Sequence, residues 1–156
     1  MTHPLPQRKH PVHMPPVERH NTPIVLFVTL TVHPRGDMLA NGHFHDAFRA
    51  ACVEADAWRV SSYVVMPDHV HLFCTPNRFP STGIGPWSTY LKRTVTRFLG
   101  THPDWEWQSG CWDTQLRARE TYDEKRCYVR LNPVRASLIA TPEDWPWQGE
   151  GAPIMW

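Results

Sequence analysis

The sequence predicts an α+β fold of the ferredoxin-like type: an antiparallel sheet in the chain order β-α-β-β-α-β, two helices on one face, and a C-terminal helix near the other. Three observations point there. A β-branched run fills residues 24–32, strict alternation marks residues 69–75 directly behind a Pro67-Asp68 turn, and stretches of helical spacing separate and follow these strands.

Each element has its own signal. Residues 1–23 hold six prolines and four histidines, which exclude a stable helix or an inner strand and predict an extended arm. Residues 24–32 (IVLFVTLTV) end at the turn His33-Pro34-Arg35-Gly36 and read as a strand. In residues 44–57, Phe44, Ala47, Phe48, Ala51 and Cys52 recur at helical spacing, and residues 58–66 are strand-like up to Pro67. Residues 69–75 (HVHLFCT) put His69, His71 and Phe73 on one face and Val70, Leu72 and Cys74 on the other. Beyond a Pro/Gly-rich loop over 76–86, Leu91, Val95, Phe98 and Leu99 form an apolar helical stripe that leaves Lys92, Arg93 and Arg97 to solvent. Residues 111–116 suit a strand. Residues 120–131 suit a helix with Thr121-x-x-Glu124 as capping box, halted by Asn132-Pro133. This last helix belongs against the open sheet face, where His69 and His71 point.

The chain has the length of one domain, 156 residues, divided as an arm over 1–23, a catalytic unit over 24–147 and a tail over 148–156. A formal charge of +1 neither announces nor excludes a polyanionic partner, so charge distribution must carry that argument. Four widely spaced cysteines without a C-x-x-C fit reduced thiols and a cytoplasmic location, and no apolar run is long enough for a signal peptide or a membrane span.

Histidines separated by one residue on a strand project from the same face, so His69 and His71 can share one cation without distorting the backbone. His43 and His45 have the same spacing but start a helix, where such positions diverge by about 200°. Basic residues Lys92, Arg93, Arg97, Arg117, Arg119, Lys125, Arg126 and Arg130, with Arg135, are interleaved with Trp87, Trp105, Trp107, Trp112, Trp145 and Trp147. They offer phosphate contacts and stacking platforms for single-stranded DNA.

Residues 63–73 (YVVMPDHVHLF) resemble the metal-binding strand of HUH transposases, in particular the REP-associated tyrosine transposases. The resemblance runs over about residues 24–147 and includes Trp107-Gln108, Trp112-Asp113, Leu116-Arg117, residues 128–136 (YVRLNPVRA) and Asp144-Trp145-Pro146-Trp147, in that order. It implies cleavage and rejoining of single-stranded DNA at hairpin-flanked repeats through a covalent 5′-phosphotyrosine. It also implies a divalent ion, Mg²⁺ or Mn²⁺, on His69 and His71, a monomer or homodimer, and a bacterial, nucleoid-associated setting.

Among Tyr63, Tyr90, Tyr122 and Tyr128, helical geometry selects the nucleophile. Tyr63 and Tyr90 read as packing residues, and Tyr128 lies on a line with Cys127 and Leu131 that reads as core. Tyr122, roughly 120° away, is expected to face the metal from the first helical turn. The third metal ligand stays open between Glu120, Asp123, Glu124, Asp113 and none, because Lys125 and Arg126 occupy the positions after Tyr122 where the family carries a ligand. The alternative function is a domesticated protein that binds single-stranded or hairpin DNA without cutting it.

Overall fold

The computed structural model describes residues 13–19 and 21–156. In chain order it contains β1 (Val25–His33), α1 (Gly42–Glu54), β2 (Trp58–Val65), β3 (His69–Pro76), α2 (Ile84–Leu99), β4 (Glu106–Trp107), β5 (Trp112–Leu116), α3 (Arg119–Arg130), α4 (Asn132–Arg135), a 3₁₀ turn (Pro142–Asp144) and β6 (Gln148–Glu150). The sheet has six antiparallel strands. β3 lies between β1 and β2, β6 adds to the outer edge of β2, and β4 and β5 share the outer edge of β1.

Alternation along the strands builds two cores. Leu26, Val28, Leu30 and Val32 of β1, with Val70, Leu72 and Cys74 of β3, face α1 and α2 and form the main cluster with Phe48, Trp58 and Leu91. Val25 and Phe27 of β1, Val64 of β2 and Phe73 of β3 point the other way, where Tyr122 and Val129 of α3 and Trp145 cover them. The last helix therefore lies on the open sheet face, as expected. Helix α1 starts at Asn41, whose side chain accepts from the Phe44 N–H.

Several elements differ from the sequence expectation. The capping box of the last helix does not form, because the helix begins earlier with Ala118 as N-cap and no side-chain cap. Helix α2 starts inside the expected loop at Ile84, since Pro86 sits in the first turn, where its missing N–H costs nothing. Phe98 and Tyr90 are exposed, not packed. The single strand expected over 111–116 is preceded by β4, which pairs with Val32 and His33. Part of the expected tail is sheet: Ser62, Tyr63 and Val64 pair with Glu150, Gly149 and Gln148. Gly149 is required there, because a Cβ would lie 2.6 Å from the Tyr63 hydroxyl. Of the expected arm, residues 1–12 and 20 lie outside the described residues. Val17 exchanges backbone hydrogen bonds with the Gln115 side chain on β5, each 2.8 Å.

Candidate metal and nucleic-acid site

His69 and His71 stand on the α3 side of β3 with ring centroids 4.7 Å apart and planes at 74°. Each is oriented through Nδ1. His69 Nδ1 donates to Asp68 Oδ1 at 2.7 Å, and Arg35 Nε donates to the other oxygen of that carboxylate at 2.7 Å. Burial works against the Asp68 anion, but the hydrogen bonds from His69 and Arg35 outweigh it and hold the carboxyl below its usual range. An ionised carboxylate can only accept, so the His69 ring holds a proton on Nδ1, which turns Nε2 to the open side as the atom able to ligate. His71 Nδ1 pairs with the Thr29 hydroxyl at 2.8 Å, Thr29 being its register partner across β1. Burial, then the charges of His69, Lys125 and Arg135, push His71 down to about 3, so it is neutral near pH 7.

These features fit a divalent cation. Two imidazoles share a face, and each has an outer partner of the kind that orients metal-binding histidines. Among the described residues, no carboxylate, thiol or further imidazole joins them. The one group of three such side chains within 4.8 Å among the described residues is His13, Cys111 and Asp113. Asp113 pairs in register with Val28 and so faces the α1/α2 side, bonded to His13. This removes Asp113 from the open alternatives for a third ligand. Glu120, Asp123 and Glu124 are exposed on α3, Asp123 lying 3.8 Å from Arg119. His43 and His45 diverge: His43 Nε2 bonds the Leu99 carbonyl at 3.0 Å, and His45 meets the Tyr63 hydroxyl at 2.6 Å.

The tyrosines exchange the environments expected of them. Tyr122 is 9 % exposed, its ring packed edge-on against Phe73 at 5.3 Å and against Trp156 at 5.6 Å. Tyr128, expected in the core, is 56 % exposed. The helical spacing was right and its phase wrong: α3 turns Tyr122 and Val129 inward, whereas Cys127, Tyr128 and Leu131 are exposed. Tyr128 also belongs to the histidine neighbourhood. Phe27 lies 5.3 Å from the His71 ring, Lys125 Nζ 4.9 Å from the Phe27 centroid and 5.6 Å from that of Tyr128, and the Arg135 guanidinium 3.7 Å from Tyr128.

The basic residues divide between the two sides of the sheet. Arg117, Arg119, Lys125, Arg126 and Arg130 lie on or beside α3, on the histidine side. Arg93 and Arg97 belong to α2 on the opposite side, with Arg97 paired to Glu54. Lys92, expected at the surface, is 6 % exposed and donates to the carbonyls of Gln108 at 2.9 Å and Gly110 at 2.7 Å. It caps a loop and is not available to DNA. Of the tryptophans, Trp87, Trp105 and Trp145 are buried, and Trp107 and Trp147 partly so. Trp112 is 56 % exposed and pairs with Thr29, which places it on the histidine face. Thr29, Arg35 and Phe27 were not foreseen, because only strand register brings them to the histidines.

No protein-family model and no curated protein matches the chain. A solved structure of a REP-associated tyrosine transposase bound to a REP hairpin is similar, with TM-score 0.70 and 21 % identity over 86 % of this chain and 82 % of that one. At this identity the likeness shows the fold, which is the mixed α/β architecture with an antiparallel sheet that the sequence predicts.

Proposed function

We propose that the protein is an HUH-type, metal-dependent nuclease and strand transferase that cuts single-stranded DNA next to hairpin elements through a covalent 5′-phosphotyrosine. The observation that carries this reading is the pair His69 and His71, each oriented through Nδ1, beside an exposed tyrosine flanked by Lys125 and Arg135. The solved structure of similar fold, a tyrosine transposase bound to a REP hairpin, supports the substrate class.

His69 and His71 would hold Mg²⁺ or Mn²⁺ through Nε2, the ion supplying Lewis-acid polarisation of a non-bridging phosphate oxygen. The tyrosine hydroxyl gives up its proton as its oxygen bonds to phosphorus and the bond to the 3′-oxygen breaks, and the departing 3′-oxygen takes up a proton, so the step is balanced without net proton release. Attack by another 3′-hydroxyl on the phosphotyrosine reverses the step and reseals the strand without ATP. Lys125 and Arg135, which lie at the Tyr128 ring, would meet the negative charge of the phosphate under attack. We assign the nucleophile to Tyr128 in place of Tyr122, since Tyr128 is exposed and shares these two cations with His71. Lys125, Arg126, Arg130, Arg117 and Arg119 would hold the strand, with Trp112 as a stacking platform.

The test is a denaturing gel of the protein incubated with a hairpin-bearing single strand and Mn²⁺. A denaturant-resistant adduct, absent with chelator, is expected. Retained hairpin binding without any adduct would instead establish the second reading, a DNA-binding protein without cleavage, which is favoured by the absence of a third carboxylate, thiol or imidazole beside His69 and His71 among the described residues.

A further inference from the structure

Cys111 and Asp113 stand on either side of Trp112 at the start of β5, two residues apart on extended backbone, so their side chains share the face turned to α1 and α2. Gln115 follows on the same face, its register partner being Leu26 of the main core. The N-terminal segment is laid along these positions. Val17 is held to Gln115 by two hydrogen bonds, and His13 Nδ1 pairs with Asp113 Oδ1. The His13 ring lies against the first turn of α2, where a Cβ on Gly85 would come within 3.2 Å of its Cδ2. Glycine at that place leaves room for the imidazole to reach β5.

One nitrogen, one sulfur and one carboxylate oxygen thus converge from chain segments 100 residues apart, all three within 4.8 Å of one another. Cys111, 3 % exposed, closes the inner end of the cluster. The His13 side chain, 28 % exposed, forms the outer end, so a small ion reaches the three donors from the solvent side of the imidazole. The donor types select the ion. Mg²⁺ prefers six oxygens and does not seek a thiolate, whereas Zn²⁺ takes sulfur, imidazole nitrogen and carboxylate oxygen together. Tetrahedral bonds of about 2.0–2.3 Å set the donor atoms roughly 3.3–3.6 Å apart. Donors within 4.8 Å of one another attain that spacing with about 1 Å of side-chain movement, His13 opening slightly from Asp113.

We propose that His13 Nδ1, Cys111 Sγ and an Asp113 carboxylate oxygen form a zinc site, separate from the His69 and His71 pair and on the other side of the sheet, that fastens the N-terminal segment to β5 and α2. A thiolate and a carboxylate neutralise the two charges of the ion, and a water completes the tetrahedron. Binding releases the Cys111 thiol proton to solvent and leaves the neutral imidazole protonated on Nε2 in place of Nδ1. Two of the ligands flank Trp112, whose ring lies on the histidine face. The ion therefore fixes the backbone that carries this exposed aromatic, which ties the N-terminal segment to the surface offered to DNA.

The test titrates Co²⁺, a spectroscopic stand-in for Zn²⁺, into the whole reduced protein and follows the near-ultraviolet charge-transfer band of a cobalt–thiolate bond. A band that saturates at one equivalent and is bleached by Zn²⁺ is expected. It should be the same in the His69→Ala, His71→Ala double variant, since the histidine pair offers no thiolate. Cys111→Ser should abolish it, and Cys127→Ser should leave it unchanged. His13→Ala and Asp113→Asn should each weaken Co²⁺ by about tenfold or more, since loss of even an outer partner of a metal ligand costs that much. His13→Ala lies at the exposed end of the cluster and decides the matter if Cys111→Ser fails to fold. No thiolate band in the wild type, a band that survives Cys111→Ser, or a His13→Ala titration like that of the wild type overturns the site. Loss of the band in the double histidine variant overturns it as well, by assigning the ion to the histidine pair. Mn²⁺-dependent adduct formation is read separately, so the nuclease reading stands or falls on its own.

Discussion

The Arg135 guanidinium lies 3.7 Å from the centroid of the Tyr128 ring, and its Nη2 also donates to the Tyr128 carbonyl at 2.6 Å and to Asn132 Oδ1. One side chain from α4 thus fixes the end of α3 and an exposed phenol together. Its charge is felt at His71 as well. Asn132-Pro133, which reads in the sequence as a helix stop and as part of the YVRLNPVRA resemblance, also ties the helix end to this cation.

The histidine pair should depend on its outer partners. His69→Ala with His71→Ala is expected to eliminate Mn²⁺ binding measured by electron paramagnetic resonance while the circular dichroism spectrum is retained, since both rings stand on a sheet face and not in the main core. Thr29→Val keeps the shape but removes the hydroxyl that pins His71 Nδ1, and should weaken Mn²⁺ about 10- to 100-fold. Unchanged affinity in the double alanine variant would sink the metal assignment.

Lys92 should report on stability and not on DNA. Lys92→Met leaves the Gln108 and Gly110 carbonyls without their donor and is expected to cost about 1–3 kcal/mol in thermal unfolding, with strand affinity unchanged. Burial lowers the pKa of the Lys92 ammonium, so between that lowered value and its usual one the unfolded chain binds more protons than the folded one. The stability of the wild type relative to Lys92→Met should therefore increase with pH across that window. A variant that unfolds like the wild type but binds DNA more weakly would contradict the buried placement.

Much of this was legible in the sequence because period-2 alternation in residues 69–75 and the β-branched run before it admit one assignment of faces, with His69 and His71 opposite Val70 and Leu72. The phase of α3 was not legible. That helix has few apolar residues, so Cys127, Tyr128 and Leu131 look like its buried line, whereas the sheet beneath it selects Tyr122 and Val129, beside half-buried Arg126. Lys92 was misread for a related reason: its charge suggests solvent, but the two loop carbonyls that hold it become neighbours only when residues 108–110 fold back on α2. β6 was missed because Gln148-Gly149-Glu150 carries no strand propensity, and its pairing depends on β2 offering a free edge.

The two sides of the sheet should differ in DNA binding. Removing Lys125 and Arg130 is expected to reduce the dependence of affinity on salt concentration, while Arg93→Ala with Arg97→Ala on α2 leaves it unchanged. Trp112→Ala should cost about 1–3 kcal/mol of single-strand affinity with the salt dependence preserved, as expected for loss of a stacked base. Fluorescence anisotropy over a salt series separates these effects. A larger loss from the α2 pair than from the α3 pair would place the strand on the wrong face for the histidines.

The sharpest prediction separates the two tyrosines of α3. Tyr128→Phe keeps the ring that Arg135 and Lys125 contact and deletes only the oxygen, so DNA binding should persist while the covalent adduct disappears. Tyr122→Phe should leave adduct formation within a fewfold of the wild type. Its ring is packed between Phe73 and Trp156, and a phenol held in that contact must leave it before it can reach a phosphate at His69 and His71. Tyr128 needs no such rearrangement, being exposed and next to the two cations whose charges reach His71. Mass spectrometry of the trapped adduct after proteolysis identifies the modified residue directly. A nucleotide on Tyr122, with the adduct lost in Tyr122→Phe and kept in Tyr128→Phe, would mean that α3 rotates or unpacks when DNA binds and would return the nucleophile to the position that helical spacing alone selects.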